Sequence, residues 1–383
     1  MKSTIFHLLL LCLLSQLLTN CQPSSAAENT AALPTDLFVG TYTRTEGHVD
    51  GKAAGIYHAR LTTDSVALLR TQTGIVNPSY LTLHPNGEVL YAVSEIGSPE
   101  VDSSGWVYSY HLAGGELALL NRQPTHSFAP CYVSVHPGGQ WLYVANYVGG
   151  MLVRYPLNGA GEIGPASDTL RLSGSGPTAR QEAAHPHSAV LSPDGAWVMV
   201  ADLGTDRVHT FFADQATWEE ATFVQLPAGS GPRHLAFHPA QPYAYVINEL
   251  NNTVTALHYN AENGALQIKE YYPTLPTDFT EENVSADIHL TPDGRYLYAS
   301  NRGHNSLAAY AVQPDGGLQS IGHYPTRGDF PRNFVIHPSG AYLLVSNQNT
   351  DNIVQFSIDL ATGGLTFLRE WSVKTPVCLA FEQ

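Results

Sequence analysis

The stretch PSYLTLHPNGEVLYAVSE, Pro78–Glu95, recurs along the chain, and its reading decides the fold. Further copies are PCYVSVHPGGQWLYVANY (Pro130–Tyr147), PHSAVLSPDGAWVMVADL (Pro186–Leu203), PRHLAFHPAQPYAYVINE (Pro232–Glu249), SADIHLTPDGRYLYASNR (Ser285–Arg302) and PRNFVIHPSGAYLLVSNQ (Pro331–Gln348). Their second prolines, Pro85, Pro137, Pro193, Pro239, Pro292 and Pro338, lie 52, 56, 46, 53 and 46 residues apart. Within the first copy, Tyr80, Thr82 and His84 alternate with Leu81 and Leu83, the period of a strand. Pro85-Asn86-Gly87 is turn chemistry: proline presets φ, and Asn with Gly tolerates a tight reversal. Val89 to Val93 is the returning strand. Trp106 to Tyr110 and Leu117 to Leu120, separated by Gly114-Gly115, supply two more. Four short antiparallel strands repeated about every fifty residues form the blade of a β-propeller.

The chain ends complete the ring. Leu37 to Tyr42 matches the second half of the repeat, and Pro376 to Phe381 matches the first half. The two halves are expected to pair in one composite blade, which removes two open sheet edges. Six full copies and the composite make an all-β, seven-bladed β-propeller filling residues 36–383, with no second domain.

The 33 glycines and 25 prolines, with only four lysines among 18 basic residues, suit a turn-rich all-β chain. A formal charge of −15 argues against nucleic acid or an anionic membrane surface as partner. Residues 1–20 read as a signal peptide, with Lys2 followed by a short apolar run. Leu18 to Cys21 resembles a bacterial lipoprotein box, so Cys21 is the expected site of lipidation and the only expected link to a membrane. Residues 21–35, rich in Ser and Ala, read as a flexible tether. The expected address is the bacterial cell envelope, outside the cytoplasm. Cys131 and Cys378 start inner strands two blades apart, too far for a bridge, so both are expected to be free thiols.

In a propeller the first strand of each blade is innermost, and equivalent repeat positions meet around the channel mouth. The second position gives Ser79, Cys131, His187, Arg233, Ala286, Arg332 and Val377. The third gives Tyr80, Tyr132, Ser188, His234, Asp287 and Asn333. The last gives Tyr42, Glu95, Tyr147, Leu203, Glu249, Arg302 and Gln348. In a chain with so few cations, this convergence of arginines, histidines and carboxylates points to a ligand site. The plainer reading is a wet channel, or a propeller that only binds a glycan or a protein. His84, His136, His238 and His337, in the His-Pro turns, fall at the opposite end and read as turn and packing residues, as do Asp194 and Asp293. One stretch breaks the repeat: Gly176 to His187 is polar and carries Arg180, Gln181 and the pair His185 and His187 toward the mouth. His-x-His is also a zinc spacing. Here no cysteine and no third histidine stands beside it, so no metal or other cofactor is expected.

At these residues the chain resembles the seven-bladed propeller lactonase family, which includes 6-phosphogluconolactonases and a carboxymuconate-cyclizing enzyme. The matching segments are Arg180-Gln181 with His185 to Ser188, Gly231 to His234 with His238-Pro239, Val246 to Leu250, Ala286 to Gly294, and Ser300 to Arg302. Pro130 to Val135 and Val144 to Tyr147 fit as well. The resemblance implies a small lactone as substrate. It also implies functional roles for His185 or His187, Arg233, Glu249 and Arg302. In lactone hydrolysis, Glu249 or an imidazole would activate water. Arg233 and Arg302 would stabilise the oxyanion or hold an anionic tail. Arg332 and Gln348 would be secondary contacts, with Arg180, Gln181, His234 and Tyr147 beside them, and Asp287 and Glu95 orienting the arginines. Arg233, placed in a wet mouth, would contribute little to folding. A cyclase of the muconate-lactonizing type and a non-catalytic binding propeller are the alternatives. A calcium-dependent lactonase needs converging carboxylate and amide oxygens where this chain has arginines.

Overall fold

The second strand of every repeat is apolar at almost each position, as in Trp141–Asn146 and Tyr243–Asn248. Such a strand must be covered on both faces. A computed structural model, which describes residues 35–47, 49–62 and 65–382, shows how. Seven four-stranded antiparallel sheets stand around an axis, joined by one two-stranded hairpin, Thr45–Glu46 with Val49–Asp50. Leu142 and Val144 pack on the preceding blade, and Tyr143 and Ala145 on the following one. The alternation therefore serves two seams at once. A hydrophobic cluster of this kind fills each of the seven seams. The outermost strands, such as Leu266–Pro273, carry mostly exposed residues.

Blade 1 is built from Leu81–Leu83, Val89–Ser94, Trp106–Ala113 and Glu116–Pro124; blades 2 to 6 begin with Pro130–Val135, Pro186–Leu191, Pro232–Phe237, Val284–Leu290 and Pro331–Ile336. Blade 7 is the expected composite. Its order is Pro376–Phe381, Thr35–Thr41, Ile56–Leu61, Val66–Gln72, with Leu37 opposite Phe381 and Gly40 opposite Cys378. The signal peptide, Cys21 and nearly all of the tether lie outside the described residues. Cys131 and Cys378 are buried free thiols, as expected.

The turn histidines bind blade to blade. Nε2 of His84 meets the carbonyl of Gly139 (3.1 Å), and that of His136 the carbonyl of Gly195 (2.9 Å). Their Nδ1 atoms accept the N–H of Asn86 and Gly138 within their own turns. One ring thus caps its turn and reaches across the seam. Where the repeat has Ser192 or Thr291 instead, the hydroxyl donates to Asp194 or Asp293 of its own turn. The receiving glycine has no alternative. Gly139 has φ +76°, and a Cβ there would lie 2.7 Å from His84 Nε2.

Candidate active site

The mouth residues are aimed by a local irregularity of the backbone. In blades 2, 3, 4 and 6 the pairing skips the second residue of the inner strand: Pro130 faces Asn146 but Tyr132 faces Ala145, and likewise at His187, Arg233 and Arg332. A bulge leaves its extra residue unpaired and turns it out of the sheet. Cys131, His187 and Arg332 therefore border a cavity of about 680 Å³, with Glu95, Tyr147, Arg180, Glu249 and Arg302 around them.

Glu249 is the electrostatic centre. Its Oε1 lies 3.0 Å from Arg180 Nη2, and its Oε2 lies 3.0 Å from Arg233 Nε and 2.9 Å from Arg302 Nη2. The Arg233 contact is ionic, since that N–H is not aligned for a hydrogen bond. The side chains of Glu249, Arg233 and Arg302 are 4%, 3% and 4% exposed, against 53% for Arg180. Burial would push the Glu249 carboxyl up, but Arg302, Arg233 and Arg180 outweigh it and hold it at about 2. Burial brings Arg302 down to about 9, still a cation at neutral pH. Arg302 also donates to Ser285 O (2.9 Å) and lies over the Phe330 ring. The expectation of a solvated Arg233 is corrected: it is buried and donates to Ala286 O at 2.6 Å.

Beneath the arginines a second layer forms the floor. Asp287 accepts from His234 Nδ1 (2.7 Å), His289 Nε2 (3.0 Å) and Asn333 Nδ2. His234 Nε2 is then left to accept from Arg233 Nη1 at 3.3 Å. Asp287 thus acts on Arg233 through His234, not by touching it. Burial and Arg233 pull His234 down to about 4, so this link stays neutral. Tyr80 and Tyr132 pack against the His234 ring and complete the floor.

His187 stands at the wall with its ring edge-on to Tyr147 and His234. Its Nδ1 is 3.7 Å from Cys131 Sγ. The Cys131 thiol has carbonyl acceptors, His187 O nearest at 3.5 Å, so Sγ can accept the Nδ1–H. That tautomer leaves the lone pair on Nε2, which has no hydrogen bond among the described residues, on a side chain that lines the cavity. Burial, then Arg233 and His234, hold the imidazole well below its ordinary 6.5.

Arg233, His234 and Asp287 thus lie beneath the cavity and not on its wall, and three further expected contacts lie elsewhere. His185 precedes the strand and turns behind Tyr147: it stacks on that ring (4.6 Å), bonds Tyr147 O through Nδ1 (2.9 Å), and meets Glu182 through Nε2. It positions Tyr147 and does not line the cavity. Gln181 is fully buried, donating to Leu203 O and Asp206 Oδ1, and so anchors the loop that presents Arg180. Gln348 is buried and donates to its neighbour Asn349, off the cavity wall. Tyr147 and Glu95 do line it. Tyr147 accepts from Arg180 (3.0 Å), and Glu95 accepts from Tyr42 (3.0 Å).

The repeat did not reveal Arg44, Glu46, Ser98, Val101 and Phe330, which also border the cavity. Most of them sit on long loops. Four residues join the second and third strands of blades 2, 3, 4 and 6, but in blade 7 this connection runs from Tyr42 to Gly55 and in blade 1 from Glu95 to Gly105. Loop length was the available signal. Asn77 clamps the blade 7 loop: its Oδ1 accepts from Thr43 N and Arg44 N, and its Nδ2 donates to Glu46.

Fold and cavity together define a propeller with a buried arginine–carboxylate cluster and a neutral histidine at one mouth. The chain belongs to the seven-bladed β-propeller lactonase family, whose profile matches residues 36–381. It is 37% identical, over 90% of its length and 97% of the relative's, to a Bacillus subtilis protein named 6-phosphogluconolactonase. A Pseudomonas aeruginosa structure described as a periplasmic gluconolactonase is 32% identical with a TM-score of 0.84, covering 91% of this chain and 99% of that one. A putative 6-phosphogluconolactonase structure from Bacteroides fragilis is 35% identical with a TM-score of 0.82, covering 94% and 99%.

Proposed function

We propose that this protein is a hydrolase of carboxylic esters that opens a small, sugar-type lactone at the propeller mouth. The names of its relatives support the reaction class. The observation that carries the mechanism is the neutral His187, with no hydrogen bond at Nε2 among the described residues, beside a guanidinium cluster fixed by Glu249. Glu249 itself is a poor base: a carboxylate at about 2, held by three cations, has little affinity for a proton.

In this reading His187 Nε2 takes a proton from water as the water oxygen bonds to the lactone carbonyl carbon. The carbonyl oxygen becomes an oxyanion, which Arg302 and Arg180 stabilise at the cavity wall. The ring C–O bond then breaks, and the imidazolium returns its proton to the leaving alkoxide. Nearby Arg233 and Arg332 favour that return, because they disfavour a second cation on His187. The products are a hydroxy acid and regenerated enzyme. The N-terminal sequence supports export and a lipid anchor at Cys21 as part of the same proposal. A panel of sugar lactones, phosphorylated and not, followed by acid release with wild type and His187→Gln, tests the chemistry. Hydrolysis by wild type that is lost in a normally melting variant supports it. No hydrolysis across the panel returns the protein to the binding-propeller reading.

A further inference from the structure

Three residues of the composite blade depart from the repeat at one spot. In every blade the N–H that follows the inner strand bonds to a carbonyl at the start of the second strand. Elsewhere that carbonyl belongs to a large apolar residue such as Val89, Trp141 or Tyr243; in blade 7 it belongs to Asp36. The N–H belongs to Glu382, where other blades have a turn residue such as His84 or Ser192. On the third strand, His58 stands opposite Phe38, where Ser109, Ala256 and Ala309 face Tyr91, Tyr245 and Tyr298. The blade architecture therefore requires none of the three. One donor atom from each of Asp36, His58 and Glu382 lies within 4.8 Å of the others.

Packing fixes the imidazole. It stacks on Phe38 with ring centres 4.8 Å apart, and a Cβ on Gly115 of blade 1 would fall 2.4 Å from its Cε1. The His58 side chain is only 3% exposed, yet among the described residues neither ring nitrogen has a hydrogen bond. Its Nε2 lies 3.1 Å from Asp36 Oδ2 without the alignment that a hydrogen bond needs. Such a buried ring is unfavourable unless something takes up its lone pair. Arg60 grips Asp36 from the solvent side, Nε to Oδ1 at 2.6 Å and Nη2 to Oδ2 at 2.7 Å. Ligating carboxylates are commonly held in this way. One guanidinium does not balance two carboxylates, and the gap between Glu382 and His58 suits a cation.

We propose that Asp36, His58 and Glu382 form a binding site for a divalent transition-metal ion of the zinc class, with water completing its shell. One imidazole nitrogen and two carboxylate oxygens are donors that Zn²⁺ accepts at ~2.0–2.2 Å, whereas Ca²⁺ takes oxygens. Partly exposed Glu382 gives the ion a way in and closes on it. The site lies at the turn end of Thr35–Thr41, across the disc from the cavity, and takes no part in lactone chemistry. Its effect is mechanical: one ion ties the second and third strands of blade 7 to the end of the C-terminal strand. Because those ligands meet only in the closed ring, the ion stabilises the folded state by mass action.

The test titrates untagged, chelator-stripped protein with Zn²⁺ by calorimetry and melts it with and without the ion. His58→Gln and Glu382→Gln are treated alike, with Ca²⁺ as the control ion. Wild type should bind one Zn²⁺ per chain, and free Zn²⁺ at a hundred times Kd should raise Tm by ~3 °C. Ca²⁺ should give no rise. Each variant should bind at least ~10-fold more weakly and lose the gain in Tm. Should His58→Gln fail to fold, Glu382→Gln decides, since that side chain is partly exposed. Absence of Zn²⁺ binding, a Tm indifferent to Zn²⁺, an equal response to Ca²⁺, or unchanged affinity in Glu382→Gln overturns the assignment.

Discussion

Glu249→Gln keeps the shape of the side chain and removes the charge that three arginines surround. The carboxyl sits at about 2 in the folded protein against an ordinary 4.5. At ~1.36 kcal/mol per unit, this difference corresponds to ~3 kcal/mol of stability at pH 7. Breaking a buried ion pair by removing one partner costs a similar ~3–5 kcal/mol. The sign follows from a depressed carboxylate. Its contribution is complete above the unfolded value and is lost as pH falls from 4.5 toward 2. At pH 3 the same linkage leaves ~1.4 kcal/mol. Urea unfolding of wild type and variant at pH 7 and pH 3 reads this directly. Other acid-sensitive groups lower both proteins together, so the gap isolates Glu249. A gap below ~1 kcal/mol at pH 7, or one that fails to narrow at pH 3, would refute the claim that this carboxylate organises the cluster.

His187→Gln should lower kcat by ~10²–10⁴-fold with a near-normal melt; equal activity would remove it from the chemistry. Because the folded imidazole is held below 6.5, the acid limb of the wild-type kcat/KM profile should lie below that value, and a limb above it would contradict the assigned base. Arg233→Ala should lose ~3–5 kcal/mol of stability along with activity, since it strips a buried partner from Glu249; a variant as stable as wild type would show the mouth to be wetter than described. Gly294→Ala places a Cβ 2.4 Å from His238 Nε2 at φ +73°, and should lower stability by ~1–3 kcal/mol, read as a lower unfolding midpoint. An unchanged midpoint would mean that the histidine seam yields without cost.

Where the repeat governs, the sequence was legible. Blade number, the composite seventh blade and the ring of second-position residues all followed from a period and a turn signature. His187, Arg233 and Arg332 could be placed together because a bulge recurs at one register position. Three things resisted. His185 and His187 share a tripeptide, yet the bulge turns only His187 to the cavity, while His185, before the strand begins, is held behind Tyr147. Gln181 and Gln348 are polar and close to the mouth in sequence, but backbone acceptors and a neighbouring amide claim their donors. Arg44 and Glu46 come from a loop with no counterpart in other blades, so no repeat position locates them. Solvation was also misjudged. A residue count cannot reveal that Arg233 is sealed by its neighbours.

The composite blade also sets an orientation. Thr35–Thr41 rises toward the mouth, where Tyr42 reaches Glu95. Its starting end lies on the other face of the disc, where the Thr35 hydroxyl meets His337 of a His-Pro turn. Pro376–Phe381 runs the opposite way, so Glu382 finishes beside Asp36, bonded to its carbonyl at 2.9 Å. Both ends of the described chain thus leave from the rear of the disc. A surface that held the protein by its N-terminus would face the turns, and the cavity would open outward, toward whatever diffuses past.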